Sequence, residues 1–205
     1  MKKIVKKDLD ELRTWSELVS EEEMRMSLAM GPLYQTNGYL IGSYGSDDNI
    51  YIYIDDLNIV KLSEAPESYI MSVLTSFVYS QTGYSGAISL TGLSGTTGIL
   101  YTNGIIDKML FNLGKIRMGD LDDRFDLQSA LYHESVHLGQ NYPGTNTILI
   151  AQNEDAAYSQ QVNNAAYSLT SAAFKFATAQ AWYNECHLLS KYTGKTLVDF
   201  LEMCQ

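Results

Sequence analysis

The sequence predicts an α+β domain, and three observations carry that expectation. Two stretches downstream of residue 120 keep helical character without interruption by Pro, Phe125 to Leu138 and Asn153 to about His187. Ile50-Tyr51-Ile52-Tyr53-Ile54 alternates aliphatic and aromatic residues, the period of a strand. Residues 83–104 are rich in Gly, Ser and Thr and hold only short apolar runs, as small strands and turns do.

Taken in order, residues 8–30 carry Leu9, Leu12, Trp15, Leu18 and Val19 at helical spacing, with Ser20-Glu21-Glu22-Glu23 as a second start, and Gly31-Pro32 as the stop. This gives an N-terminal helical segment, 1–38, preceding a main domain, 39–205. Residues 39–62 read as β-structure, with Asp55-Asp56 turning the chain into a return strand over 57–62. Tyr51 and Tyr53 share one face of it. Ser63 to Pro66 breaks the pattern, and Glu67 to Gln81 is a helix whose Tyr69, Ile70, Val73, Leu74, Phe77 and Val78 form a broad apolar face. Ala87–Leu90 and Ile99–Tyr101 are short strands joined as a hairpin through Gly92, Gly95 and Gly98. Ile105 to Leu113 is expected as a short helix stopped by Gly114, and Lys115–Met118 as an edge strand. Asp120 to Asp126 is an acidic loop, a solvated one or one that attracts basic peptide residues, with Asp126 as N-cap of the next helix. Asn153 is the expected N-cap of the helix after that, which runs to about His187 either whole or broken near Ser168. Thr193-Gly194 is a break, and Thr196–Met203 a last amphipathic helix.

The chain holds three histidines, and two stand four residues apart in His133-Glu134-Ser135-Val136-His137. On a helix turning about 100° per residue, His133 at 0° puts His137 near 40° and Glu134 near 100°. The imidazoles then share a face on which one metal ion can be gripped, and Glu134 flanks that face without ligating. Leu127, Leu131 and Leu138 fall between roughly 120° and 160°, a stripe for burial in a core. A hydrolytic zinc takes three protein ligands and keeps a position for water. Downstream, Asn141-Tyr142-Pro143-Gly144-Thr145-Asn146 is a turn by composition, and the next helix offers Glu154 and Asp155 as a third ligand.

His133-Glu134-Ser135-Val136-His137 followed by Glu154-Asp155-Ala156-Ala157 resembles the gluzincin metallopeptidase pattern, in which HExxH is followed by E-x-x-A on the next helix. The resemblance spans roughly residues 114–165. It implies a zincin-like fold: a small twisted, mostly antiparallel sheet packed on helices, with an HExxH helix and a following Glu-bearing helix. It implies that His133, His137 and Glu154 hold Zn2+, that Glu134 is the general base, and that Ala157 lets the two helices approach. Asp155, the rival third ligand, has the shorter reach and does not stand three residues before an Ala; as an alternative it orients a ligand imidazole. The metzincin continuation is absent, since no His follows His137 at the required spacing. The expected reaction is hydrolysis of peptide bonds in a peptide or protein substrate. A second donor for the oxyanion is then needed, with His187, Tyr132, Tyr158 and Tyr183 as candidates. The edge strand beside the site is expected to bind extended peptide.

The remaining composition bounds the setting. With 205 residues and 45% hydrophobic content, one domain with a sizeable core is expected. A formal charge of −10 argues against nucleic acid or an acidic membrane face as partner. Cys186 and Cys204 do not match a zinc-thiolate spacing and either pair or stay free. The basic start Met1-Lys2-Lys3 is followed by no apolar run, so a signal peptide is not expected, and no stretch is long enough to span a bilayer. A free-standing protease and the toxic tip of a secreted effector both accommodate such a chain, in the cytoplasm or delivered elsewhere. The competing expectation is a protein-binding module in which the metal serves structure.

Overall fold

A computed structural model describes residues 30–92, 100–103, 108–140 and 143–205. The helix expected over 8–30 lies outside them, apart from Met30. Four strands come first: β1 (Gly31–Gln35), β2 (Leu40–Tyr44), β3 (Tyr51–Asp55) and β4 (Asn58–Lys61). They form one sheet in the order β2-β1-β3-β4, with β1 parallel to β3 and the outer pairs antiparallel. The helix α1 (Glu67–Thr82) leads to a second sheet of β5 (Ala87–Thr91), β6 (Leu100–Asn103) and β7 (Lys108–Asn112), ordered β5-β7-β6. Then follow α2 (Leu113–Arg117), α3 (Arg124–Leu138), α4 (Thr147–Val162), α5 (Ala165–Ser168), α6 (Ala172–Cys186) and α7 (Leu197–Met203). The fold is α+β as expected, but the described residues form two small sheets rather than one, each containing a parallel pair.

Several elements depart from expectation for identifiable reasons. Gly31-Pro32, expected only as a stop, opens a strand. Pro32 stands opposite Ser43 of β2 and before the first β1–β3 pair, Leu33 with Tyr51. Gly31 is needed there, since a Cβ would lie 1.6 Å from the Asn49 carbonyl oxygen. Lys108–Asn112 is a strand and Leu113–Arg117 a helix, the reverse of the expected order. Met109 and Phe111 are buried side by side with strand period, and the Asn112 side chain accepts the Gly114 and Lys115 N–H groups, so Gly114 sits in a first turn. The expected β5–β6 hairpin is not formed, because β7 lies between the two strands, parallel to β5 and antiparallel to β6.

Two apolar clusters organise the packing. The first joins Ile50, just before β3, and Ile52 within it, Ile70, Val73, Leu74 and Phe77 of α1, Met109 and Phe111 of β7, and Leu127 and Leu131 of α3. The second gathers Tyr158, Tyr167, Trp182, Cys186, Phe200 and Cys204 beneath α4, α6 and α7. Both cysteines are free and buried in that second cluster. The helical run after 147 is broken twice, at Asn163-Asn164 and over Leu169–Ser171. Asp126 is not the cap of α3 but sits inside its first turn, accepting from the Ser171 N–H (2.9 Å) and hydroxyl (2.8 Å) and so tying α6 to α3. The cap is Asp123, which accepts from the Phe125 and Asp126 N–H groups. Asp122 likewise accepts from Ser63, and Asp120 pairs with Lys115. The acidic loop is therefore spent on internal ties. No helix of the described residues is long and apolar enough to cross a membrane.

Candidate metal centre

The site lies where the two clusters meet. Leu127 and Leu131 are fully buried and fix the rotation of α3, as the expected stripe requires. Two residues beyond Leu131, His133 is buried at 6% exposure, and His137 follows one turn later at the half-buried margin. The partner helix α4 starts seven residues earlier than expected. Its cap is Asn146, which accepts from the Ile148 and Leu149 N–H groups, so Glu154 and Asp155 fall mid-helix. Ala157 is fully buried on α4, and α4 packs against α3.

Adjacent helical residues differ by about 100° in direction, so Glu154 and Asp155 cannot both face α3. Glu154 does. Its Oε2 lies 3.2 Å from His133 Nε2 and 3.3 Å from His137 Nε2, and the two Nε2 atoms are 3.1 Å apart. Asp155 turns away into the second cluster. It is buried and accepts from Trp182 Nε1 (3.1 Å), the Tyr192 hydroxyl (2.5 Å) and Lys191 Nζ. Asp155 thus faces Trp182, Lys191 and Tyr192, and it is not part of the close group formed by His133, His137 and Glu154. His133, His137 and Glu154 are close enough to bind one metal ion. Their spacing fits a tetrahedral zinc site, in which donors at 2.0–2.1 Å from the ion stand about 3.3–3.4 Å apart. Two imidazole nitrogens and one carboxylate oxygen are also a donor set zinc accepts.

The electrostatics of the cluster are those of crowded donors. Burial disfavours a charged His137, yet the hydrogen bond and charge of Glu154 outweigh it and push the imidazole up to about 9. Burial acts to raise the Glu154 carboxyl, but hydrogen bonds from His133 and His137 hold it well below the usual carboxylate range. Glu134 is half-buried and close enough for its charge to raise His137 as well.

The four expected oxyanion donors separate. Tyr158 stands one turn after Glu154, with its ring 4.3 Å from that of His133 and its hydroxyl 3.4 Å from Glu185 Oε2. Burial, followed by the Glu185 charge, pushes its hydroxyl far above the ordinary phenol range, so it stays protonated. Tyr132 lies about 100° round α3 from His133, on the side away from Glu134. Tyr183 and His187 stack on each other at 4.9 Å, and His187 Nδ1 faces the Tyr183 carbonyl oxygen at 2.8 Å. These contacts place His187 as the cap of α6, turned to its own helix.

Three residues at the site were not expected. Gln140 and Gln161 stand behind the two imidazoles, with Oε1 atoms 2.8 Å from His137 Nδ1 and 3.2 Å from His133 Nδ1. Glu185, at the solvent edge of α6, brings a further carboxyl toward Glu154. Burial and then the Glu154 charge push it up to about 7. A signal for Gln161 was present, since Glu154, Tyr158 and Gln161 recur at i, i+4 and i+7 on one helical face. No family model matches this chain, and no curated protein or solved structure matches it either.

Proposed function

We propose that the chain is a zinc-dependent hydrolase of gluzincin type that cleaves peptide bonds, with His133, His137 and Glu154 as ligands. The observation that carries this reading is the convergence of two Nε2 atoms and one carboxylate oxygen within 3.1–3.3 Å of one another, beside the carboxylate of Glu134. A zinc ion supplies Lewis acidity and lowers the pKa of a bound water. Glu134, held at the margin of the site by its place next to His133, takes the water proton and passes it to the leaving amine. Tyr158, whose ring packs on His133 and whose hydroxyl is protonated, is the candidate donor to an oxyanion that this packing supports. The strand β6 packs against α3 and is the outer strand of its sheet among the described residues, so its edge away from β7 is the one offered to an extended peptide for backbone pairing. That edge role falls to β6 instead of Lys115–Met118.

The test is zinc-dependent cleavage of a diverse peptide library by the full chain, with Glu134→Gln as control. Cleavage by the wild type and none by a Glu134→Gln protein that still holds about one zinc is expected. A protein that binds zinc tightly yet cleaves nothing, and behaves identically after Glu134→Gln, favours the structural-metal alternative. A free-standing protease and a secreted effector tip are both consistent with this chemistry.

A further inference from the structure

Each ligand imidazole is held from behind by a primary amide that bridges the two ligand-bearing helices. Gln140, just past α3, faces His137 Nδ1 with its oxygen and donates through Nε2 to the main-chain oxygen of Asn153 at 3.1 Å, one residue before Glu154. Gln161, on α4, faces His133 Nδ1 and donates through Nε2 to Ser129 Oγ at 3.1 Å, one turn before His133 on α3. Gln161 is 3% exposed and Ser129 fully buried, so this second bridge is shielded from water.

A main-chain carbonyl can only accept. The Gln140 nitrogen must therefore face Asn153, and its oxygen must face His137. That oxygen is also acceptor-only, so Nδ1 of a neutral His137 carries the proton and Nε2 keeps its lone pair toward Glu154. Gln161 presents its oxygen to His133 Nδ1 in the same way, with the Ser129 hydroxyl, not a carbonyl, receiving its N–H. We infer that Gln140 and Gln161 are positioning residues that commit both rings to ligation through Nε2, and that only position 161 accepts a carboxylate in place of the amide. The inference rests on the metal-centre reading. At 161 the far anchor is a hydroxyl, which can turn and donate to a Glu oxygen, while the near oxygen still accepts from His133. At 140 the far anchor is a carbonyl, so a Glu would set oxygen against oxygen across the same 3.1 Å. The amides are neutral, so they orient the rings without adding negative charge behind them, as a carboxylate partner would.

The experiment measures zinc affinity by chelator competition on the full chain and its Gln140→Leu, Gln161→Leu, Gln140→Glu and Gln161→Glu variants. Folding of each variant is checked by circular dichroism. Loss of an orienting partner typically costs 10–100-fold in metal affinity, and that loss is expected for both Leu variants. Gln161→Glu is expected to bind at least as tightly as the wild type, and Gln140→Glu more weakly than the wild type. Long-range proton–nitrogen NMR of the zinc-loaded wild type is expected to show two slowly exchanging Nδ1 protons, and each Leu variant to lose one. Unchanged affinity with both protons protected in the Leu variants overturns the inference. So does a Gln161→Glu protein as weak as Gln161→Leu, or a Gln140→Glu protein as tight as Gln161→Glu. A wild type that takes up no zinc overturns the metal-centre reading itself.

Discussion

Replacing Glu154 by Gln in the metal-free protein tests the geometry of the site without any assumption about catalysis. The His137 side chain is 16% exposed, and its imidazole is raised from an ordinary 6.5 to about 9 against the opposing pull of burial. That interval corresponds to about 3 kcal/mol of preference for the charged ring. Glu154 is the main source of the preference, through the 3.3 Å contact of its Oε2 with His137 Nε2. With a neutral amide at 154, burial is opposed only by the Glu134 charge and the Gln140 hydrogen bond, and the ring should titrate well below 9. The assay is an NMR titration of the His137 ring protons after exhaustive chelation, in the wild type and in Glu154→Gln. The sign for stability follows. Because the folded value lies above the unfolded one, the contribution is fully present below about 6.5 and is lost as pH rises through about 9. Chemical denaturation of the metal-free wild type should therefore show stability falling by up to about 3 kcal/mol over that window. The same window in Glu154→Gln should be flatter. A wild-type His137 that titrates near 6.5, or one that ignores the Glu154 substitution, would refute the reasoning.

Other expectations follow from the same contacts. Zinc must displace the His137 proton, so its apparent affinity should rise with pH up to about 9, by roughly tenfold per pH unit for each proton released, as calorimetry in buffers of different ionisation enthalpy can measure. Asp155→Asn should leave zinc affinity within about twofold of wild type, since Asp155 faces Trp182, Lys191 and Tyr192, but should lower stability by about 1–3 kcal/mol in urea denaturation. A zinc affinity that collapses in Asp155→Asn would reverse the ligand assignment. Asp126→Ala removes both bonds to Ser171 and should cost about 1–3 kcal/mol, read as a lower urea midpoint with zinc uptake retained after refolding.

How far the sequence spoke for itself differs between elements. The motif helix was legible because the His133–His137 spacing and the Leu127, Leu131 and Leu138 stripe share one period, and Leu127 and Leu131 are fully buried. Glu154 was legible through its place on the following helix. The caps were not: Asp123 and Asp126, or Asn146 and Asn153, satisfy the same composition rule. What separates them is which side chain finds free N–H groups and which is claimed by a distant partner, as Asp126 is by Ser171, 45 residues away. The reversal over 105–118 has a similar origin, since Gly114 reads as a stop unless the Asn112 side chain is known to cap the turn that contains it. The strand β1 was hidden because Gly31 and Pro32 resemble a break, while their role depends on the close approach of Asn49 and on the pairing of β1 with β2 and β3. Gln140 carried no recognisable motif and Gln161 only its place on the Glu154 face, because their contacts exist only once α3 and α4 are side by side.

The most direct test of the central claim is a crystal structure of the zinc-soaked protein with anomalous data collected above and below the zinc edge. The account predicts one strong peak about 2.0–2.2 Å from His133 Nε2, His137 Nε2 and a Glu154 carboxylate oxygen, with Asp155 still turned to Trp182. A peak held by other residues or through Nδ1, or imidazoles that stay apart with no metal between them at saturating zinc, would contradict it.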